Sequence, residues 1–325
     1  MSLGEFGRIG RYFVPLAGPG GLGLKDDAAL VDCPSGSRLV MTVDQAVEGV
    51  HFLSDDPPNL VAKKLLRRNL SDLAAMGAVP RHYLVTSALP KSCEDDWVRA
   101  FAEGLAEDQR RYGIHLLGGD STATPGPIAL TLTAIGEVAA DKEIRRTRAR
   151  AGDKVWVSGT IGDAFLGLKI RRGDAALVGL GPAHVAALVD RYRLPEPRTE
   201  LGPRLAGIAH AMIDVSDGLL SDLGHICETS QVGGTVSLDA LPLSDAAKTV
   251  LAEGWVEPTA LATGGDDYEL LFTAPAADEA AILAASREAG VAVTMIGAVA
   301  AGEGVRLLDA GGQQIAIERA GYRHF

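Results

Sequence analysis

Along this chain the spacing of apolar residues changes several times. Ala28-Ala29-Leu30-Val31 and residues 38–43, with Leu39-Val40-Met41-Thr42-Val43, are short apolar runs near acidic residues and predict two buried strands. Val61, Leu65, Leu66, Leu70 and Leu73 share one helical face, which predicts a helix over 60–75 closed by Gly77 and Pro80. Ser92 with Asp95 three residues later forms a capping pattern; Trp97, Phe101 and Leu105 follow at helical spacing, and Gly113 stops that helix. Ile128, Leu130 and Leu132 alternate with Ala129, Thr131 and Thr133, a strand with one dry face. The pattern breaks over 139–153, where Asp141-Lys142-Glu143 and Arg145-Arg146-Thr147-Arg148-Ala149-Arg150 intervene before Val155-Trp156-Val157 opens a new strand. Helices near 163–172 and 183–193, a strand at 211–215, a helix from 219 and a closing strand–helix–strand run complete the reading. The fold class is mixed α/β (α+β) in two domains, 1–140 and 141–325. Gly118-Gly119-Asp120 echoes Gly264-Gly265-Asp266, and Ser71-Asp72-Leu73 echoes Ser216-Asp217-Gly218.

Composition narrows the function. Lys and Arg number 31 and Asp and Glu 42, a net charge of −11 over 325 residues, so neither nucleic acid nor an anionic membrane is an expected partner. A phosphate ligand then requires bridging cations. Cys33, Cys93 and Cys227 stand far apart with no C-x-x-C, which fits free thiols in a reducing compartment. The first residues lack an apolar secretory core, and no apolar run has membrane-spanning length. The expectation is a cytoplasmic protein.

Gly18-Pro19-Gly20-Gly21-Leu22-Gly23 matches a dinucleotide fingerprint in letters only: Pro15 precedes it and an apolar strand-like run follows, so it reads as a flexible surface loop. The chain has neither a P-loop nor the protein-kinase motif set. Its carboxylates are more telling. Asp26 and Asp27 precede a predicted strand, Asp44 ends one, Asp72 lies three residues after Asn69 on a helix, Asp120 follows a glycine pair, and Asp214 and Asp217 flank Ser216 at a strand-to-helix junction. Each alone is an ordinary cap or turn residue. Most have no Lys or Arg beside them in sequence. Brought together, pairs ~4 Å apart would repel by about 4 kcal/mol, so such a cluster protonates or binds cations. Oxygen ligands select hard ions, and Mg²⁺ suits a site shared with phosphates. Gly118-Gly119 and Gly264-Gly265 are either tight turns or places where a ligand meets bare backbone. Arg146 is either a phosphate grip or part of a solvated hinge, and His51 either a surface side chain or a hydrogen-bond donor.

Taken in order, Gly4-Glu5-Phe6, Asp26-Asp27-Ala28-Ala29, Asp44 with Glu48-Gly49-Val50-His51-Phe52, and Asn69-Leu70-Ser71-Asp72-Leu73-Ala74-Ala75-Met76-Gly77 form a recognisable set. Gly118-Gly119-Asp120-Ser121, Ile213-Asp214-Val215-Ser216-Asp217-Gly218-Leu219, Gly264-Gly265-Asp266-Asp267-Tyr268-Glu269-Leu270 and the terminal Gly321-Tyr322-Arg323-His324-Phe325 continue it. The chain closely resembles the thiamine-monophosphate kinase family, within the superfamily of aminoimidazole ribonucleotide synthetase. The resemblance implies an N-terminal α/β domain that forms a β-barrel with a dimer mate, and a C-terminal α/β domain. It implies transfer of the ATP γ-phosphoryl group to thiamine monophosphate, with ATP as co-substrate and several Mg²⁺ ions; because a monophosphate oxygen is already anionic near pH 7, no general base is expected. By the same resemblance Asp27, Thr42, Asp44, Asp72, Asp120, Asp214 and Asp217 hold metal. Tyr112, Gly119, Asp120, Arg146 and Ser216 lie on the nucleotide, and His51, Asp266 and Tyr322 contact the thiamine phosphate.

The chain departs from the family pattern twice. Val43 replaces a hydroxyl residue before Asp44, leaving only its carbonyl as a ligand there, and Asp266 stands where Glu is frequent, which shortens the arm. Related activities on the same scaffold are the alternative, aminoimidazole ribonucleotide synthetase first. A selenophosphate synthetase would carry a reactive Cys or selenocysteine in its N-terminal segment, and here no Cys precedes Cys33. A hydrogenase-maturation carbamoyl dehydratase would end in a Cys-bearing tail, whereas this sequence ends Arg323-His324-Phe325. A non-catalytic nucleotide sensor would bind ATP without thiamine-dependent ADP release.

Overall fold

The computed structural model describes residues 5–25 and 28–322, with the side chains of residues 5 and 6 set aside. The calls on Asp26, Asp27 and the last three residues lie outside the described residues. By contacts the chain divides into two units, Met1–Leu73 with Ala78–Asp141, and Ala74–Gly77 with Lys142–Phe325.

The first unit is built on a four-stranded sheet of order β1-β4-β2-β3, comprising β1 (Ser37–Val47), β2 (Val79–Pro90), β3 (His115–Thr124) and β4 (Ala129–Ala139). β4 runs antiparallel to both β1 and β2, while β2 and β3 are parallel. Helices α1 (Pro58–Ala75) and α2 (Asp95–Tyr112) supply the apolar stripes read from sequence: Leu65, Leu66, Leu70, Phe101 and Leu105 join Tyr83, Leu130 and Leu132 in one core. Burying each such side chain is worth about 1.5–3 kcal/mol. α2 starts two residues later than a Ser92 cap requires, with Glu94 at its N-cap and no side-chain cap bond. It ends at Gly113, whose φ of 64° is left-handed.

Three local expectations fail here. Residues 28–31 are not a strand, and Leu30 is exposed. β1 is an edge strand rather than a buried one, with Met41 62% and Val43 61% exposed. The glycine-rich run is no flexible loop: it forms 3-10 turns over Pro19–Leu24, Gly18 N–H donates to Leu116 O at 2.8 Å, and Gly21 is buried.

In the second unit seven strands lie in the order β11-β10-β7-β9-β5-β8-β6: β5 (Lys154–Ser158), β6 (Ala211–Asp214), β7 (Gly233–Ser237), β8 (Leu270–Ala274), β9 (Val293–Ala300), β10 (Val305–Leu308) and β11 (Gln314–Ile315). Only β7 and β10 pair in parallel. The helices are α3 (Asp163–Arg171), α4 (Pro182–Arg193), α5 (Leu219–Ser230), α6 (Asp245–Ala252), α7 (Pro258–Thr263) and α8 (Glu279–Ala289). Strand alternation sends Val155 and Val157 into the core beneath α5, and Trp156 to the opposite face, where it stacks on Phe272 at 6.4 Å. Both faces are covered, which is why β5, β6 and β8 read as unbroken apolar runs. Among the described residues no helix is long and apolar enough to cross a membrane.

Candidate active site

In the first unit the anchor is Asp72, near the end of α1. Thr42 on β1 donates its hydroxyl to Asp72 Oδ2 at 2.7 Å. Asp44 lies two residues along β1, on the same face as Thr42 by strand alternation, and pairs with Arg68 of α1 at 3.4 Å. The cation missing beside Asp44 in sequence thus arrives from the helix. Among the described residues Asn69 Oδ1 and Ser71 Oγ are buried without a hydrogen-bond partner. Orphaned oxygens beside a carboxylate, with hydroxyl and carboxylate donors and no nitrogen or sulfur in the set, fit a hard divalent cation. His51 follows β1; its Nδ1 accepts the Val47 N–H at 3.1 Å, so a neutral ring carries its proton on Nε2.

Asp120 does not join Asp44 in this sheet. It lies on β3, aligned through Thr86 and Thr131 with Gln45, on the opposite edge about 14 Å from β1 at ~4.8 Å per strand. Gly118-Gly119 is not a turn but the middle of β3, and a Cβ on Gly119 would sit 1.8 Å from Val85 O. Glycine is therefore fixed there by close strand approach. A cavity of about 200 Å³ reaches Gly119 and Asp120 and is walled by Leu84, Leu117 and the stacked pair Trp97–Phe101, centroids 5.3 Å apart. Tyr112 closes α2, with the Arg67 and Arg111 guanidinium groups 5.6 and 5.1 Å from its ring centre.

In the second unit one loop gathers the candidates. Asp214 ends β6, buried; Ser216, Asp217 and Gly218 turn into α5. The neighbouring segment is laced to this loop, with Asp266 N–H on Ser216 O and Tyr268 N–H on Val215 O, each 2.8 Å. A Cβ on Gly265 would lie 2.3 Å from Ser216 O, which explains the second glycine pair. The C-terminal end closes the third side, where Tyr322 N–H donates to Asp217 O at 2.9 Å. Asp214, Ser216, Asp217, Asp266 and Tyr322 thus share one main-chain platform. Arg146 belongs to the same unit: its carbonyl accepts from Thr229 and Ser230 Oγ at 3.2 and 3.0 Å, and the residue is exposed.

Four supporting residues had no role in the sequence reading, although Glu269 stands within a quoted motif. Asp222 of α5 accepts the N–H groups of Ser216, Asp217 and Gly218 at 3.0, 3.2 and 3.2 Å. Burial and the Asp217 charge push its carboxyl up to about 7 against those three donors. Glu269, fully buried, receives Arg191 at 2.9 Å, Ser158 Oγ at 2.6 Å and a two-pronged grip from Arg198. Asp222 had a signal, an acid in the first turn of a helix. The arginines had none, since Arg191 and Arg198 reach Glu269 across 78 and 71 residues of sequence.

Residues 25–138 match the family described as AIR synthase related protein, N-terminal domain, and residues 150–310 its C-terminal domain. A thiamine-monophosphate kinase of Caulobacter vibrioides is 40% identical over 98% of this chain and 90% of its own length. The chain belongs to the thiamine-monophosphate kinase family. The crystal structure of thiamine-monophosphate kinase from Stenotrophomonas maltophilia K279a matches with a TM-score of 0.84 at 40% identity, covering 97% of this chain and 99% of that one. AaThiL complexed with AMPPCP and TMP matches with a TM-score of 0.78 at 31% identity, covering 100% and 99%. The two-domain α/β architecture expected from the motifs is the one observed.

Proposed function

We propose that this chain transfers the γ-phosphoryl group of ATP to thiamine monophosphate, yielding thiamine diphosphate and ADP, by direct in-line attack. The observation that carries this reading is the platform just after Asp214, on which Ser216 O and Asp217 O accept the main-chain N–H groups of Asp266 and Tyr322. Residues implied for metal and nucleotide are thereby tied to residues implied for the thiamine phosphate. The relative crystallised with an ATP analogue and TMP supports the same pairing of ligands.

Asp27, Thr42, Asp44, Asp72, Asp120, Asp214 and Asp217 are the residues to hold Mg²⁺, which when bound neutralises the phosphate charge. Gly119 lines the cavity beside Asp120, and Gly119, Tyr112, Arg146 and Ser216 serve the nucleotide. His51 offers Nε2–H to the acceptor phosphate, while Asp266 and Tyr322 take the thiamine rings. A monophosphate oxygen is already anionic near pH 7, so no side chain has to remove a proton. The residues supply alignment and charge balance.

We also infer a homodimer with a shared barrel. β1 and β3 are the two edge strands of the sheet, β3 being capped at its start by the Ala17–Gly18 segment on Leu116, and β1 presents Leu39, Met41 and Val43 to solvent. Pairing β1 of one copy with β3 of another would cover that stripe and set Asp120 of one copy beside the face of β1 that Val43 and Gln45 share on the other. Light scattering gives the mass; a monomer at micromolar concentration rejects the barrel. The reaction is tested by Mg²⁺-dependent ADP release, present with thiamine monophosphate and absent with free thiamine. A ³²P-labelled protein band that forms from γ-labelled ATP and is chased by thiamine monophosphate overturns direct transfer.

A further inference from the structure

The resemblance leads one to expect Glu at position 266, and the structure shows what holds the shorter arm of Asp266. The Tyr268 hydroxyl donates to Asp266 Oδ1 at 3.1 Å. Tyr268 is 3% exposed, so its ring is locked in the interior and only the hydroxyl reaches the site. Two side chains separated by one residue do not meet in an extended strand, because alternation sends the intervening residue to the other face and leaves the pair ~7 Å apart. They meet here because Asp266 and Tyr268 both have left-handed backbone, φ 72° and 52°.

That conformation is held from three directions. Asp266 and Tyr268 donate their N–H groups to Ser216 O and Val215 O. Between them, the Asp267 carboxylate accepts Gly162 N–H at 2.7 Å and Ala164 N–H at 3.3 Å at the start of α3. Just beyond, Glu269 is gripped by Arg191, Arg198 and Ser158. The backbone is over-determined, so the hydroxyl–carboxylate contact is built in before any ligand arrives.

We propose that Tyr268 is a positioning residue for thiamine monophosphate recognition: its buried hydroxyl fixes the carboxylate plane of Asp266 toward the cationic thiazolium or the aminopyrimidine amine. This rests on the kinase reading above. Tyr268 touches no substrate and acts through Asp266. A carboxylate held in one rotamer loses less freedom when substrate binds, and that gain appears in substrate affinity rather than in the phosphoryl-transfer step.

The test is a kinetic double-mutant cycle on the full chain with Tyr268→Phe, Asp266→Ala and both together. Tyr268→Phe raises KM for thiamine monophosphate about tenfold, with kcat and the KM for ATP within roughly twofold. In the Asp266→Ala background the same change has no further effect, because the group it positions is gone. Calorimetric titration of thiamine monophosphate without ATP gives the same tenfold weakening and the same non-additivity. Combining Tyr268→Phe with Asp266→Glu recovers most of the affinity, the longer arm reaching without the clamp. Equal losses in both backgrounds, or a fall in kcat and melting temperature at unchanged KM, overturn the proposal. An active wild type with an additive cycle removes the clamp alone; a wild type that neither binds nor phosphorylates thiamine monophosphate removes the kinase reading and the clamp with it.

Discussion

The two units hold their acidic side chains by different physics. In the first, Thr42, Asp44 and Asp72 are set by side-chain contacts between one strand and one helix, and Asn69 Oδ1 and Ser71 Oγ beside them lack partners among the described residues. In the second, the loop at 214–218 is pinned by main-chain bonds from Asp266, Tyr268 and Tyr322 and by three N–H groups on Asp222. On the proposed function the first arrangement awaits cations, while the second is held by its own hydrogen bonds. Substitutions in the first should therefore cost turnover, and substitutions behind the second should cost stability.

The largest effect expected is at Asp72. Asp72→Asn keeps an acceptor for the Thr42 hydroxyl but removes charge from the cation set, so kcat falls roughly a thousandfold, about 4 kcal/mol. Its melting temperature moves by less than about 2 °C, a stability change well under 1 kcal/mol. Loss of folding at ambient temperature would instead make Asp72 a structural residue. Glu269→Gln reverses the signature. It leaves Arg191 and Arg198 beside a neutral amide, and breaking a buried ion pair costs about 3–5 kcal/mol. Urea denaturation reads this directly, and an unmoved midpoint contradicts it.

The contrast also marks what sequence could reveal. The stripe Val61–Leu73 is legible because a helix must bury one face and the 3.6-residue period records it. The carboxylates are legible as a class because acids beside strand ends and glycine pairs are few. Gly118-Gly119 is not legible as strand, since its reason is Val85 O on the neighbouring strand, information absent from its own surroundings. Residues 28–31 are apolar enough for a strand but pair only locally, Leu30 N–H to Gly20 O. Arg191 and Arg198 are invisible for the same reason as Gly119: their partner is distant in the chain.

A pH scan sharpens the second half of the comparison. Burial pushes the Asp267 carboxyl up to about 8, opposed by the N–H groups of Gly162 and Ala164 and by Arg191. A raised folded-state value means stability that is full below the ordinary carboxylate range and is lost as pH rises through 8. Wild type should therefore lose stability progressively between about pH 4 and 8 and level off above that, and Asp267→Asn should show a flatter profile by up to ~1.4 kcal/mol per pH unit. Parallel profiles would mean that Asp267 is ionised throughout.

The smallest expected effect concerns Val43 and sharpens the first half. Strand alternation places Val43 on the face opposite Thr42 and Asp44, so a hydroxyl at 43 cannot reach Asp72 within one copy. That face is the one Gln45 shares, and Gln45 aligns across the sheet with Asp120. Val43→Thr therefore adds a ligand only for an ion shared with Asp120, which in the barrel dimer comes from the other copy. Half-saturating Mg²⁺ for ADP release should drop about threefold, under 1 kcal/mol, because one neutral oxygen replaces at most one water. Unchanged Mg²⁺ dependence in a dimeric enzyme would mean that this face meets no ion, and the carboxylates of β1 and β3 would then serve separate sites.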